Sequence, residues 1–263
     1  MLAHVHNISI WYDDVGPADG IPLLCIHGFP HDHRLWAPQR DTLSKTYRVI
    51  TPDLRGFGAS GTNGPYSMDQ FADDLAELLT ELGITRAVVC GLSMGGYIAL
   101  ALWRRHARRV LGLIFADTKA TADDDAMRTK RQQMIAMAMS AGAGAVADAQ
   151  VTGMVGISTR LEHPELVEHV RDMLAAAPVE GIVGALEAMM VRPDSTPLLA
   201  TIGVPTLCIV GDQDVIAPVK EMREMCAAIP HGELRVIDDA GHVSNVEQPD
   251  AFNEAVAQFV ARL

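Results

Sequence analysis

Ser93, set in Gly91-Leu92-Ser93-Met94-Gly95, is the residue of this sequence best placed for covalent chemistry. With 22 glycines in 263 residues, chance alone produces about 0.06 such patterns, so the motif is only suggestive until its setting is read. The apolar run Ala87-Val88-Val89-Cys90 leads in. A helical pattern leads out through Tyr97, Ile98, Leu100, Leu102 and Trp103 to the basic cluster Arg104, Arg105, Arg108 and Arg109. Strand, sharp turn and helix in succession hold a hydroxyl outward on a strained backbone, beside a helix N-terminus that favours developing negative charge. Gly91 and Gly95 are required because a Cβ at either position would collide across the turn. The chemistry this predicts is attack of Ser93 on an ester or lactone carbonyl; a structural serine between incidental glycines is the competing reading.

A serine hydroxyl needs a base to take its proton. Ten histidines are present. His4, His6, His106, His163, His169 and His231 fall at strand edges, at helix ends or within a long helical segment, where solvated or packing roles are ordinary. His242 instead follows the apolar run Leu234 to Ile237 in the loop Asp238-Asp239-Ala240-Gly241-His242, at the sheet edge toward which Ser93 points. It is the expected general base, against the alternative of a solvated loop histidine. A carboxylate must fix the tautomer of that base, and Gly211-Asp212-Gln213-Asp214 offers two at the end of the run Pro205 to Val210. Asp214 is favoured, because Asp212 sits in the turn, where a bond to its own backbone is the ordinary role. Asp117, ending the run Val110 to Ala116, is a third candidate and could equally cap the segment that follows. The oxyanion of a tetrahedral intermediate needs preorganised donors. Met94 N–H is one, and Phe29 N–H in His27-Gly28-Phe29-Pro30 is the expected second.

The elements that must carry these residues alternate in type. Buried strands are read at Pro22 to Ile26, Tyr47 to Thr51, Ala87 to Cys90, Val110 to Ala116, Pro205 to Val210 and Leu234 to Ile237. Between them lie helices such as the one opened by the capping box Ser67-Met68-Asp69-Gln70 and stopped by Gly83, and a last one after Pro249. Such alternation predicts a parallel α/β sheet. The rhythm breaks after Asp117: to about Pro197 strand-like runs vanish, which predicts a helical insertion. Eight of the 13 methionines fall there, suited either to an adaptable apolar wall or to the insertion's own small core. Ala141 to Ala149 reads as a loose helix or bend.

A net charge of −12 opposes binding to nucleic acid or anionic lipid. No basic leader is evident at the start, and no apolar stretch of about 18 residues is read as a span, so a cytoplasmic protein acting on a small molecule is expected. The four cysteines read as buried free thiols.

Taken together, His27-Gly28-Phe29-Pro30, Asp53-Leu54-Arg55-Gly56-Phe57-Gly58-Ala59-Ser60, the turn at Ser93, Gly211-Asp212-Gln213-Asp214 and Gly241-His242 resemble the α/β-hydrolase superfamily over nearly the whole chain. The order Ser93, Asp214, His242 suits that fold. The resemblance implies a mostly parallel eight-stranded sheet flanked by helices, formed by residues 1–118 and 197–263, with a helical cap at 119–196. It implies no cofactor. Within the superfamily the chain is similar to cofactor-free esterases, perhydrolases and 3-oxoadipate enol-lactonases; the last likeness rests on Gly91 to Gly96 and on His242-Val243-Ser244-Asn245-Val246-Glu247-Gln248-Pro249. An enol-lactonase acting on an anion would need a cation at the pocket, such as Arg128, Arg131, Arg160 or Arg192. A hydrolase-fold ligand receptor is the remaining reading. Serine in place of aspartate at position 93 argues against dehalogenase or epoxide hydrolase chemistry.

Two other motifs are set aside. Gly56-Phe57-Gly58-Ala59-Ser60-Gly61 matches a dinucleotide fingerprint, but Thr62-Asn63-Gly64-Pro65 follows where a helix should open. His31-Asp32-His33 could suggest a metal, yet Asp32 more simply caps the helix bearing Leu35, Trp36 and Leu43. His31 at the pocket mouth is a further option.

Overall fold

The computed structural model describes residues 1–263. Eight strands form one sheet: β1 (Leu2–Val5), β2 (Ile8–Val15), β3 (Pro22–Ile26), β4 (Arg48–Pro52), β5 (Ala87–Leu92), β6 (Val110–Ala116), β7 (Thr206–Gly211) and β8 (Gly232–Ile237). Their order is β1-β2-β4-β3-β5-β6-β7-β8, antiparallel through β1, β2 and β4 and parallel from there on. The six runs expected from the sequence are all strands, β3 and β6 with the expected bounds and the other four with bounds moved by one or two residues. β1 and β2 were missed as runs because they alternate buried and open residues at the sheet edge, so His4, Ser9 and Asp13 interrupt the apolar signal.

Eleven helices complete the chain: α1 (Ala37–Leu43), α2 (Met68–Glu81), α3 (Met94–His106), α4 (Asp125–Met154), α5 (Ile157–Glu162), α6 (Pro164–Ala175), α7 (Val179–Met190), α8 (Thr196–Leu199), α9 (Val219–Ala227), α10 (Ser244–Glu247) and α11 (Pro249–Val260). The period of two along each strand divides the sheet's side chains between two cores. Leu24, Ile26 and Val89 meet α2, α3 and α9 on one face, whereas Leu23, Cys25 and Val88 meet α1 and α11 on the other. Local signals in the sequence act as expected. Ser67 Oγ accepts from Gln70 N–H at 3.0 Å to start α2, and Gly83, at φ +67°, ends it. All four cysteines are buried and free.

Helices α4 to α8 fill the connection between β6 and β7. α4 is the one single helix long enough, and apolar enough on average, to cross a membrane, though polar residues such as Ser140, Asp148 and Gln150 interrupt it. Its alanines and methionines supply that composition, but Gly142 (φ 80°, ψ 179°) breaks its helical path, and α6 and α7 pack against it. The break falls in the stretch expected to be a loose helix or bend.

Candidate active site

Ser93 stands between β5 and α3 with φ 54° and ψ −114°, a conformation that costs an L-residue about 1–3 kcal/mol. Backbone bonds hold it there: its N–H donates to Ala116 O at 2.9 Å, and its carbonyl accepts from Thr118 Oγ1 at 2.7 Å. The flanking glycines are needed for close approach. A Cβ on Gly91 would stand 2.2 Å from Gly95 O across the turn; one on Gly95 would stand 2.2 Å from Ile26 O, on the neighbouring strand rather than across the turn.

The structure brings Ser93, His242 and Asp214 into one hydrogen-bonded chain. His242 Nε2 lies 2.8 Å from Ser93 Oγ, and Nδ1 lies 2.8 Å from Asp214 Oδ2. Asp214 Oδ1 accepts from Ile216 N–H at 2.7 Å and Ala217 N–H at 2.9 Å, which fixes the carboxylate and leaves Oδ2 for the ring. Both side chains are buried. Burial pulls the His242 pKa down, but the Asp214 charge and hydrogen bond outweigh it and the net shift is upward. For Asp214 burial acts upward, while His242 and the two backbone donors hold the carboxyl below its usual value.

The other acids take separate roles. Asp212 accepts from Ala240 N–H at 3.3 Å, across to the loop after β8 rather than from its own turn as expected. Asp117 caps nothing, contrary to one expectation; Asp124 caps α4 through Met127 N–H at 2.7 Å. Asp117 instead ties the end of β6 to the end of β7 and to α10, its oxygens accepting from Gly211 N–H at 2.9 Å and from Ser244 Oγ at 2.6 Å. Burial, then the neighbouring Asp214, push its pKa well up.

His27 Nε2 accepts from Leu54 N–H at 3.0 Å, so Nδ1 carries the proton and donates to Gly28 O at 2.8 Å. Burial keeps this ring neutral, and its two bonds anchor the loop that presents Phe29. Phe29 lines the cavity, and neither its N–H nor that of Met94 donates within the protein. His31 is not at the pocket mouth: it is 1% exposed, and burial lowers its pKa to about 3. Asp32, His33 and Asp53 cluster closely enough to suggest a metal. Their polar atoms are already engaged, since Asp53 accepts from His33 N–H at 2.8 Å and Ala59 N–H at 2.8 Å while Asp32 pairs with Arg34 at 2.7 Å. Asp32 also accepts from Arg34 N–H at 2.9 Å to cap the helical turn at Leu35 and Trp36.

A cavity of about 280 Å³ adjoins Ser93 and His242. Met127, Met134, Met154 and Met189 line it, whereas Met173 is buried in the second core and Met139 is exposed. Both readings of the methionines therefore hold for different members. Lys119, Lys130 and Arg131 also line the cavity, and no acidic residue does. The two lysines were not singled out from the sequence, where nothing distinguishes them from solvated charges. Of the four arginines considered there, only Arg131 reaches the cavity, and it pairs with Asp123, which also holds Arg192 at 2.6 Å. A larger cleft of about 520 Å³, between residues 119–124 and α9, contains none of the three chain members.

The chain is similar over nearly its whole length to known hydrolases. Over 257 residues the chain is 33% identical to 3-oxoadipate enol-lactonase 2 of Acinetobacter baylyi, spanning 97% of this chain and 94% of that protein. Among solved structures, a thermophilic esterase from Thermogutta terrifontis, determined with malate bound, superposes with a TM-score of 0.94 at 40% identity, covering 97% of this chain and 94% of that one. The enol-lactonase from Burkholderia xenovorans gives 0.91 at 32% identity, covering 99% and 100%. Residues 21–249 match the family described as alpha/beta hydrolase fold, and the chain belongs to that family.

Proposed function

We propose that this protein hydrolyses small carboxylic esters or lactones through an acyl-enzyme on Ser93. The observation that carries the reading is the unbroken chain Ser93 Oγ, His242, Asp214, with 2.8 Å at each step. His242 Nε2 takes the hydroxyl proton as Ser93 Oγ bonds to the carbonyl carbon. The carbonyl oxygen becomes an oxyanion held by the N–H groups of Phe29 and Met94. His242 then returns the proton to the leaving alkoxide, and water repeats the sequence to release the acid. Asp214 keeps the proton of the neutral ring on Nδ1 and stabilises the imidazolium. Residues 119–196 act as a cap over the core of 1–118 and 197–263, and no cofactor is needed. Ser93→Ala tests this on p-nitrophenyl acetate. Turnover should fall at least about 10³-fold; unchanged turnover refutes it. Rapid multiple turnover by the unaltered protein also separates this reading from a ligand receptor.

A second reading concerns the substrate's charge. In a chain of net charge −12, the cavity beside Ser93 carries Lys119 and Lys130, besides Arg131 paired with Asp123, and no acid is among its lining. The one lysine ion pair of the chain is elsewhere, Lys220 with Glu224. This favours a carboxylated lactone or ester, in keeping with relatives named 3-oxoadipate enol-lactonase. Lys119→Met and Lys130→Met should each lower kcat/KM for the carboxylated substrate roughly tenfold or more while sparing its methyl ester. A preference of the unaltered protein for the methyl ester rejects this second reading.

A further inference from the structure

Glu247 is a buried acid to which the reaction above gives no role. Its carboxylate joins three pieces of chain. Oε2 accepts from Gly156 N–H at 2.7 Å and Thr159 Oγ1 at 2.6 Å, where α4 passes into α5. Oε1 accepts from Gly241 N–H at 2.8 Å, the residue before His242. Burial raises its pKa, and the hydrogen bonds from Thr159, Gly156 and Gly241 oppose that rise. All three groups donate, so the ionised carboxylate is the form that fits them.

A second contact runs alongside. The backbone N–H of His242 donates to Met154 O, the last residue of α4, at 2.9 Å. The two segments meet closely: a Cβ on Gly156 would come 2.7 Å from Gln213 Oε1 and 3.0 Å from Gly241 N. Gly153 and Met154, just before this junction, line the cavity. The helices that wall the cavity and the loop that carries His242 are thus clamped at this junction by two side-chain bridges: Ser158, which donates through Oγ to Asp239 Oδ1 at 2.9 Å and through N–H to Gln213 Oε1 at 3.0 Å, and Glu247, the one that bonds the residue next to His242.

We infer that Glu247 is a positioning residue that couples the helical insertion to the general base, so that His242 reaches Ser93 only while the α4–α5 junction is seated. The inference rests on the proposed role of His242. A shift of Gly156 or Thr159 moves the carboxylate, the carboxylate moves Gly241, and His242 follows. The charged or titratable groups around His242 are Asp214 after β7, Asp117 after β6, Glu247 on α10 and His31 after β3, the last neutral through burial. Loss of the Glu247 anion therefore also removes one group that favours the imidazolium.

The test uses Thr159→Val, which deletes only the insertion's hydroxyl, and Glu247→Gln, which places an amide NH₂ against groups that themselves donate. Thr159 lines no part of the cavity. Thr159→Val should lower kcat several-fold and Glu247→Gln roughly 10- to 100-fold, with KM changed less than twofold. The double variant should be no worse than Glu247→Gln alone. The acid limb of the kcat/KM profile should move to lower pH in Glu247→Gln. Folded variants with unaltered kcat and an unmoved acid limb overturn the coupling, even if their melting temperatures fall. Should Glu247→Gln fail to fold, Thr159→Val decides alone. Ser93→Ala, run in parallel, separates the two levels: retained turnover there removes the underlying reaction, whereas its loss beside unaffected Thr159→Val and Glu247→Gln removes this inference only.

Discussion

Replacing Gly95 by alanine perturbs the site without touching a reacting atom. A Cβ there would lie 2.2 Å from Ile26 O, 2.9 Å from Ile26 C and 3.0 Å from His27 O. The nearest of these is more than about 1 Å short of an optimal nonbonded separation, and all three are backbone, so no rotamer change relieves the clash. Either α3 retreats from β3 or β3 retreats from α3. Gly95 follows Met94, and Ile26 precedes Phe29 by three residues, so either movement of about 1 Å widens the gap between the two proposed oxyanion donors. Losing one such donor costs about 10²- to 10³-fold in rate, or roughly 3–4 kcal/mol. The donors act on the oxyanion rather than on the ground-state ester, so kcat should fall about 10²-fold with KM nearly unchanged. Steady-state rates on p-nitrophenyl acetate read this directly, and a thermal melt establishes that the variant is folded. A folded Gly95→Ala protein with kcat within about threefold of the parent would refute the placement of the oxyanion donors on either side of this contact.

Further outcomes follow from the ionisable groups. His242 must be neutral to accept the Ser93 proton, and its folded pKa is raised, so activity should be lost as pH falls through a value above the ordinary histidine pKa of about 6.5. Asp214→Asn should cost about 10⁴-fold in kcat by releasing the tautomer and move the residual acid limb to lower pH; an unmoved limb in the pH-rate profile contradicts the ion pair. Asp123→Asn should destabilise the fold by about 3–5 kcal/mol, because it leaves Arg131 and Arg192 facing each other with little solvent. Burial raises the Asp123 pKa but the two guanidiniums bring it below normal. Its stabilisation is therefore present above the unfolded value, about 3.9, and lost as pH falls through the folded one. Urea midpoints measured against pH should lose that slope in the variant; an unchanged midpoint near neutral pH removes the argument.

The sequence by itself determined the parallel sheet and the residues at its carboxyl edge. Val88, Val89 and Cys90 are buried on both sheet faces, and strands of that kind announce themselves as continuous apolar runs. Gly91, the capping box at Ser67 and the bonds of Asp214 to Ile216 and Ala217 are equally legible, because each answers a constraint within a few residues of itself, whereas Gly95 answers Ile26 O on a neighbouring strand. Their position in loops at the ends of apolar runs suggested Asp214 and His242, but the 2.8 Å spacing between them belongs to β7 and β8 lying side by side in register.

What only the tertiary structure decided is whatever depends on segments distant in sequence. Asp117 could be a capping acid or a partner of histidine until the fold brought Gly211 and Ser244 to its two oxygens. His31 looked like a pocket residue and is enclosed. Lys119 and Lys130 were indistinguishable from solvated surface charges until α4 folded over the sheet edge. Glu247 lies 91 residues from Gly156, and no local pattern predicts that a carboxylate on the last short helix will close a loop onto the insertion. Backbone propensity and burial periodicity act over a few residues and are written locally; the partners of buried charges are set by which helices land where, so Ser93 could be read from its own neighbourhood but its cavity could not.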